Sequence, residues 1–301
     1  MDANQKVVVI GGAGMLGHKI FQRLRKNREC ICTLRGNRED ALLKKVELLQ
    51  GPDVRWNVDV SDFDGLRSLL EELNPAWIVN CVGIIKQRSA AQAAIPSIQI
   101  NSLLPHYLAE WAEAWNGRLI HFSTDCVFDG RRGNYTETDT SNAEDLYGRT
   151  KYLGEVGGRA NALTLRTSFI GRELCHCQGL LEWFLAQDHG RIRGFRKVIY
   201  SGVTTNFMAR LVERIMNDHP SLSGLYQATA PPISKHDLLS RLRDRFGLEV
   251  EIEADDMVVS VRSMSCEKLS RTIGYVPPAW QELVDELAAD PTPYDQWRSR
   301  E

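Results

Sequence analysis

No stretch of this 301-residue chain offers the roughly 20 consecutive apolar residues that a membrane-spanning helix needs. No charge dominates either: 37 Lys and Arg against 39 Asp and Glu leave a formal net charge of -2. That balance excludes a basic stripe for nucleic acid and a polybasic patch for a membrane surface. Internal repeats, low-complexity tracts and Pro/Ser-rich linkers are absent as well. The seven cysteines are odd in number and scattered, which argues against a disulfide framework and for reduced thiols in the cytoplasm. The opening MDANQKVVVIGG runs straight into a strand-like segment and leaves no room for a signal peptide. A cytoplasmic protein is therefore expected.

What is present is ordinary for a globular chain: 43% apolar and 25% charged residues. The length suits one large domain or two intimately joined ones. Lys6–Ile10 (KVVVI) is a β-branched run of the kind buried on both faces of a sheet. Helical periodicity covers Met15 to about Lys26, and an amphipathic stretch covers Asp62–Leu73. Further strands are predicted at Cys30–Leu34, Ala76–Cys81, Arg118–Phe122 and Ala162–Arg166, with helices at Ser97–Trp115 and Ala143–Val156. Strands alternating with helices imply parallel β-α-β units: a Rossmann-like, doubly wound α/β sheet. After Ser168 the pattern loosens, which predicts a dinucleotide-binding domain over residues 1–168 and a smaller α/β substrate lobe over 169–301. Part of about 197–230 is expected to return to the first domain.

Gly11-Gly12-Ala13-Gly14-Met15-Leu16-Gly17 follows the first strand and opens the first helix. Two registers fit, Gly12-x-Gly14-x-x-Gly17 and Gly11-x-x-Gly14-x-x-Gly17. Glycines there admit a pyrophosphate to the backbone, and the helix N-terminus faces it with free N–H groups. A bare glycine motif is also what any tight turn uses; its place between the first strand and first helix points to a dinucleotide. A carboxylate closing the second strand would favour NAD, by accepting from the ribose hydroxyls. Here Arg35 closes it, Arg38 follows, and no acid comes before Glu39. A guanidinium there clamps a 2′-phosphate, so NADPH is expected, with NADH as the alternative.

Tyr147-Gly148-Arg149-Thr150-Lys151 sets a phenol and an ammonium four residues apart, on one helical face. Such a spacing arises by chance in many helices. It gains meaning from Ser123-Thr124-Asp125, hydroxyls at a strand's C-terminal end, where doubly wound sheets bind ligands. Ketone reduction needs a hydride on carbon and a proton on oxygen. A Tyr147 phenol, ordinarily near pKa 10, would donate that proton if the Lys151 ammonium lowered it, while Thr124 oriented the substrate oxygen.

These residues resemble extended short-chain dehydrogenases/reductases, and among them the nucleotide-sugar reductases typified by dTDP-4-dehydrorhamnose reductase. The matching pieces are Gly11–Gly17, Asp59-Val60, Asn80–Gly83, STDCVFDG at Ser123–Gly130, YGRTK at Tyr147–Lys151 and LRTSFIG at Leu165–Gly171. A weaker match, Ser263–Tyr275, looks like the family's C-terminal segment. The resemblance implies NADPH-dependent reduction of a 4-keto sugar on a nucleoside diphosphate, in surface-polysaccharide or deoxysugar biosynthesis, often by a homodimer. It implies Thr124, Tyr147 and Lys151 as the triad, with Gly11, Gly14, Met15, Leu16, Gly17, Asp59, Val60, Cys81, Val82 and Gly83 around the cofactor. Asp125, Cys126 and Phe169 would face the sugar and Arg262 the diphosphate. Cys126 and Phe169 stand where the family usually has tyrosine and tryptophan, and the loop Ile84–Arg88 also departs from it.

Lys86 could reach substrate or be a solvated loop lysine, and Arg262 could equally be a surface charge. Asn101 is expected to bind backbone and hold the active-site helix, and Trp280 and Trp297 to pack the second lobe. Cys175-His176-Cys177 has no second ligand pair at a zinc spacing, so no metal is expected. Two further functional classes stay open. An epimerase or dehydratase would use the same triad with a retained cofactor, and Asp125 keeps that reading alive. A non-catalytic regulatory subunit on the same fold would commonly lose the tyrosine or lysine, and both are here.

Overall fold

The computed structural model describes residues 6–85 and 93–298. Six strands, β1 (Val7–Ile10), β2 (Cys30–Thr33), β3 (Val54–Arg55), β4 (Trp77–Asn80), β5 (Arg118–Thr124) and β6 (Ala162–Thr167), form its central sheet with Gly224–Gln227. The spatial order is Gly224–Gln227, β6, β5, β4, β1, β2, β3, and all neighbours run parallel. Side chains alternate across a strand, so Val7 and Val9 enter one core cluster while Val8 and Ile10 enter the other. An unbroken VVVI run is thus what a strand covered on both faces requires. The chain winds outward from β1 in both directions, so the strand order reverses between β1 and β4. A ligand crevice opens there, beyond the strands' C-terminal ends.

Local chemistry ends the helices where expected. Asp62 caps the helix Phe63–Leu73 by accepting from the Gly65 N–H at 3.1 Å, and Asn74 closes it in the left-handed region at φ 44°. The long helix predicted at Ser97–Trp115 runs from Ala94 to Ala114, but Ile98–Leu103 forms a wider π turn inside it. Periodicity does not reveal such a turn.

Beyond β6 the chain builds a three-stranded sheet in which Val198–Tyr200 lies between Ile233–Ser234 and Ser260–Val261. Before closing that sheet it returns to the first lobe. The helix Thr205–Asp218 packs on the helix Gly17–Leu24, with Arg23 paired to Glu213, and Gly224–Gln227 extends the central sheet beside β6. Trp280 is buried as expected, donating its indole N–H to the Pro231 carbonyl at 2.7 Å; Trp297 is buried too.

One buried residue ties the C-terminus to the glycine turn. His18 shares its Nδ1 proton with the Gly14 carbonyl at 2.9 Å and accepts at Nε2 from the Tyr294 hydroxyl at 2.8 Å. Burial lowers its pKa to about 4. The unfolded chain therefore binds a proton at His18 near pH 6.5 that the folded chain refuses until about pH 4. Stability should fall as pH drops through that window, by up to roughly 3 kcal/mol from this group. Denaturant melts at pH 4–7 should give His18→Gln a shallower pH slope than wild type; equal slopes would remove His18 from the account.

Candidate active site

Both registers meet a steric demand, since a Cβ on Gly12 would lie 2.8 Å from Cys32 Cβ. Gly11 sits at φ 88°, where a side chain is strained, and a Cβ there would come 2.7 Å from Val82 Cγ2. A Cβ on Gly17 would lie 2.1 Å from the Gly11 carbonyl oxygen, so the helix start fits against the strand end only without one. Leu16 precedes that helix with no side-chain cap, which leaves its N-terminal amides for an anion. Gly14, Met15 and Leu16 line a cleft of about 500 Å³. A turn of this shape, open and uncapped, fits the pyrophosphate of a dinucleotide.

The next wall is the end of β4. Asn80 accepts the Val82 N–H at 3.1 Å, and Cys81, Val82 and Gly83 line the cleft. From the π turn, Asn101 accepts the Ile84 N–H at 2.8 Å and donates to the Ile84 carbonyl at 3.1 Å and the Thr150 hydroxyl at 3.3 Å. Asn101 therefore holds this loop and the helix Leu146–Leu153 together through backbone and hydroxyl groups. Burial pushes the Cys81 thiol up, keeping it protonated and a poor nucleophile. Lys86 lies outside the described residues.

Thr124, the last residue of β5, meets Tyr147 and Lys151 from the helix Leu146–Leu153, whose N-cap Asp145 accepts the Gly148 N–H at 2.7 Å. All three line the cleft. Lys151 is buried and donates to the Phe122 carbonyl at 2.6 Å, with His121 Nε2 at 3.4 Å. Asn80 Oδ1 is committed to Val82, so its amide N–H faces His121 Nδ1 at 3.2 Å. That fixes the neutral tautomer with the proton on Nε2, which cannot accept from the ammonium. Burial, reinforced by the Lys151 charge, holds His121 neutral. Among the described residues Phe122 is thus the acceptor for one ammonium N–H, and no other acceptor takes the remaining two.

Burial lowers Lys151 to about 8, opposed by the Glu155 carboxylate. Behind it, Glu155 accepts from Ser123 Oγ at 2.7 Å and binds Arg166 through two 2.7 Å hydrogen bonds, the guanidinium being only 2% exposed. Tyr147 departs from the expected electrostatics. Burial raises its pKa, with the neighbouring Cys126, Asp125 and Asp145 adding to it and a Thr124 hydrogen bond opposing. The phenol is held as an acid; Lys151, directed at Phe122, does not lower it here.

The opposite wall takes the sugar-facing candidates. Asp125 accepts from Thr124 at 3.2 Å and from Ser168 at 2.8 Å. Cys126 and Phe169 line the cleft, and Phe169 meets Phe122 edge-on at 5.7 Å. Arg262 lines it too, tethered to the Phe128 carbonyl at 3.0 Å and the Asp129 carbonyl at 3.4 Å. Sequence reasoning missed Ser168, Tyr200, Lys235 and Ser260, which share this wall; no motif marks them. Cys175 and His176, weighed only for metal, also reach the cleft.

Arg35, Asp59 and Val60 are outside the cleft lining. Arg35 is exposed beyond β2, and its charge helps hold Asp59 below the usual carboxylate range, after the Ser61 hydrogen bonds. Arg38 donates to the Gln50 carbonyl at 2.9 Å, which turns it to a structural task.

A sequence model described as the RmlD substrate binding domain matches residues 5–292. A dTDP-4-dehydrorhamnose reductase of Aggregatibacter actinomycetemcomitans is 24% identical, covering 94% of this chain and 98% of that one. The methionine adenosyltransferase 2 subunit beta of Danio rerio is 29% identical over 50% of this chain, and the match spans 42% of that protein. In fold, the chain resembles a Bacillus anthracis dTDP-4-dehydrorhamnose reductase solved with NADP. The TM-score is 0.78 at 17% identity, over 95% of this chain and 99% of that one.

The free protein should lose the Lys151 charge as pH rises through about 8. Charge-assisted hydrogen bonds are worth about 1.5–3 kcal/mol, so dinucleotide affinity should fall about tenfold or more above that pH. Lys151→Met should bind weakly and without this pH dependence. A pH-independent wild-type affinity between pH 7 and 9.5 would contradict the assignment.

Proposed function

This chain belongs to the RmlD substrate binding domain family, and from that premise we propose that it reduces a 4-keto sugar on a nucleoside diphosphate with NADPH. The observation that carries the reading is the half-buried Tyr147, its phenol held protonated by desolvation and hydrogen-bonded to Thr124 at the end of β5, in the cleft that the glycine turn also lines. When bound, the nicotinamide supplies the hydride. Thr124 holds the substrate carbonyl oxygen, and Tyr147 passes its phenolic proton to that oxygen as charge develops there. Removing that proton in a buried site requires a compensating cation. Lys151, one turn further along the same helix, carries two N–H donors free for the task.

Residues 11–17, 81–83, Tyr147 and Lys151 form the cofactor side; Asp125, Cys126, Phe169 and Arg262 form the sugar side. Arg35 supports NADPH over NADH, since a guanidinium at the rim beyond β2 attracts a 2′-phosphate. A cytoplasmic place in surface-polysaccharide or deoxysugar biosynthesis goes with this substrate. The helices that carry Asn101 and Tyr147 also expose Ile95 and Leu153 at 72% and 60%, which supports pairing with a second copy. The carboxylate of Asp125 beside Thr124 favours an epimerase or dehydratase as the second reading; purified protein absorbing as reduced nicotinamide would select it.

Incubation with NADPH and a panel of 4-keto nucleotide sugars should yield a product two mass units heavier. Tyr147→Phe should still bind cofactor while turnover falls by about 10²–10⁴. Near-full activity in that variant would remove the triad from the mechanism.

Cofactor choice is tested separately. Arg35→Ala should weaken NADPH about tenfold and leave NADH nearly unchanged, the low end expected for an exposed charge-assisted contact. Arg38→Ala should add little, because that guanidinium is tied to Gln50. Equal affinity for both cofactors in wild type and variant would show that Arg35 is a surface charge.

A further inference from the structure

Lys235 has the environment of a ligand-binding cation rather than of a structural one. It is the first residue of the helix Lys235–Phe246, directly after the N-cap Ser234. An ammonium there opposes the helix dipole, whose positive end favours an acid. The ammonium lies 4.7 Å from the centroid of the Tyr200 ring, and burial pushes its pKa down. Lys235 is half-buried against the cleft, and among the described residues it has no ion-pair partner. Tyr200 adds a second unmet group: it is 7% exposed, and its hydroxyl has no hydrogen-bond partner among the described residues.

The small sheet explains why this side chain faces the chemistry. Val198–Tyr200 is flanked by Ile233–Ser234 on one side and Ser260–Val261 on the other. Lys235 and Arg262 therefore leave the two outer strands and reach the cleft from either side of Tyr200. The Asp125 carboxylate, beside the catalytic Thr124, acts on the Lys235 charge from across the cleft, whereas Arg262 is held by the Phe128 and Asp129 carbonyls.

We propose that Lys235 binds an oxyanion of the substrate, with the Tyr200 hydroxyl as a further donor, and is a specificity determinant of this reductase. This rests on the nucleotide-sugar reading. The oxyanion is a phosphate of the nucleoside diphosphate or a carboxylate on the sugar.

Titration of NADPH-loaded protein with dTDP, UDP, UDP-glucose and UDP-glucuronate tests the assignment and separates its two sources. Lys235→Met should weaken at least one anionic probe tenfold or more, and Lys235→Arg should stay within threefold of wild type. An equal loss for all four assigns the phosphate; a loss confined to UDP-glucuronate assigns a sugar carboxylate. Unchanged NADPH affinity and melting temperature in both variants show that the fold is intact. The proposal is overturned if Lys235→Met binds every probe as wild type does, if Met and Arg lose equally, or if wild type binds none of the four. Binding is read without turnover. Charge-dependent binding by a protein inactive on keto sugars would thus sink the reaction alone, and an active enzyme indifferent to Lys235 would sink only this inference.

Discussion

A buried ammonium needs acceptors, and the charge state of Lys151 depends on how few the surrounding strands supply. The Phe122 carbonyl takes one N–H at 2.6 Å. His121, locked by Asn80 as the tautomer with its proton on Nε2, offers none. The Glu155–Arg166 pair stands behind as a compensating field, braced by Ser123. Each of these groups comes from β4, β5, β6 or the end of the active-site helix. The same strands that place Thr124 therefore decide the charge state of Lys151.

That arrangement separates two tasks usually described together. Burial keeps Tyr147 protonated against the opposing Thr124 hydrogen bond, so the protein at rest holds its phenolic proton. Lys151 is kept poorly satisfied, with two donors unmet among the described residues and a pKa near the working range. An acceptor entering the cleft would complete its shell. In this account, binding and protonation reinforce each other, and the cation becomes fully effective when the cleft is filled.

The cofactor half and the substrate half depart unequally from the family resemblance. On the cofactor side, Gly14–Leu16, Cys81–Gly83 and the three residues Thr124, Tyr147 and Lys151 share one cleft, while Arg35, Asp59 and Val60 lie outside its lining. On the other side, Cys126 and Phe169 share the wall with Lys235 and Tyr200, which no motif announces.

Residue patterns alone carried the parallel sheet, because strands covered on both faces must be apolar at successive positions and glycine turns are stereochemically demanding. The Gly11–Gly17 turn, Thr124 at a strand end and Tyr147 four residues before Lys151 were legible for the same reason: local geometry dictates residue type there. Tertiary structure decided what depends on residues distant in sequence. It brought Val82 against Gly11 and Cys32 against Gly12, and showed Tyr147 ruled by burial rather than by Lys151. It tied Arg38 to Gln50 and exposed Arg35 beyond the cleft. It also brought Lys235 and Tyr200 from separate strands onto the wall facing Asp125. A lone lysine after a capping serine looks like any helix start, and only the three-dimensional neighbourhood reveals a cation lining the cleft outside any ion pair of the described residues.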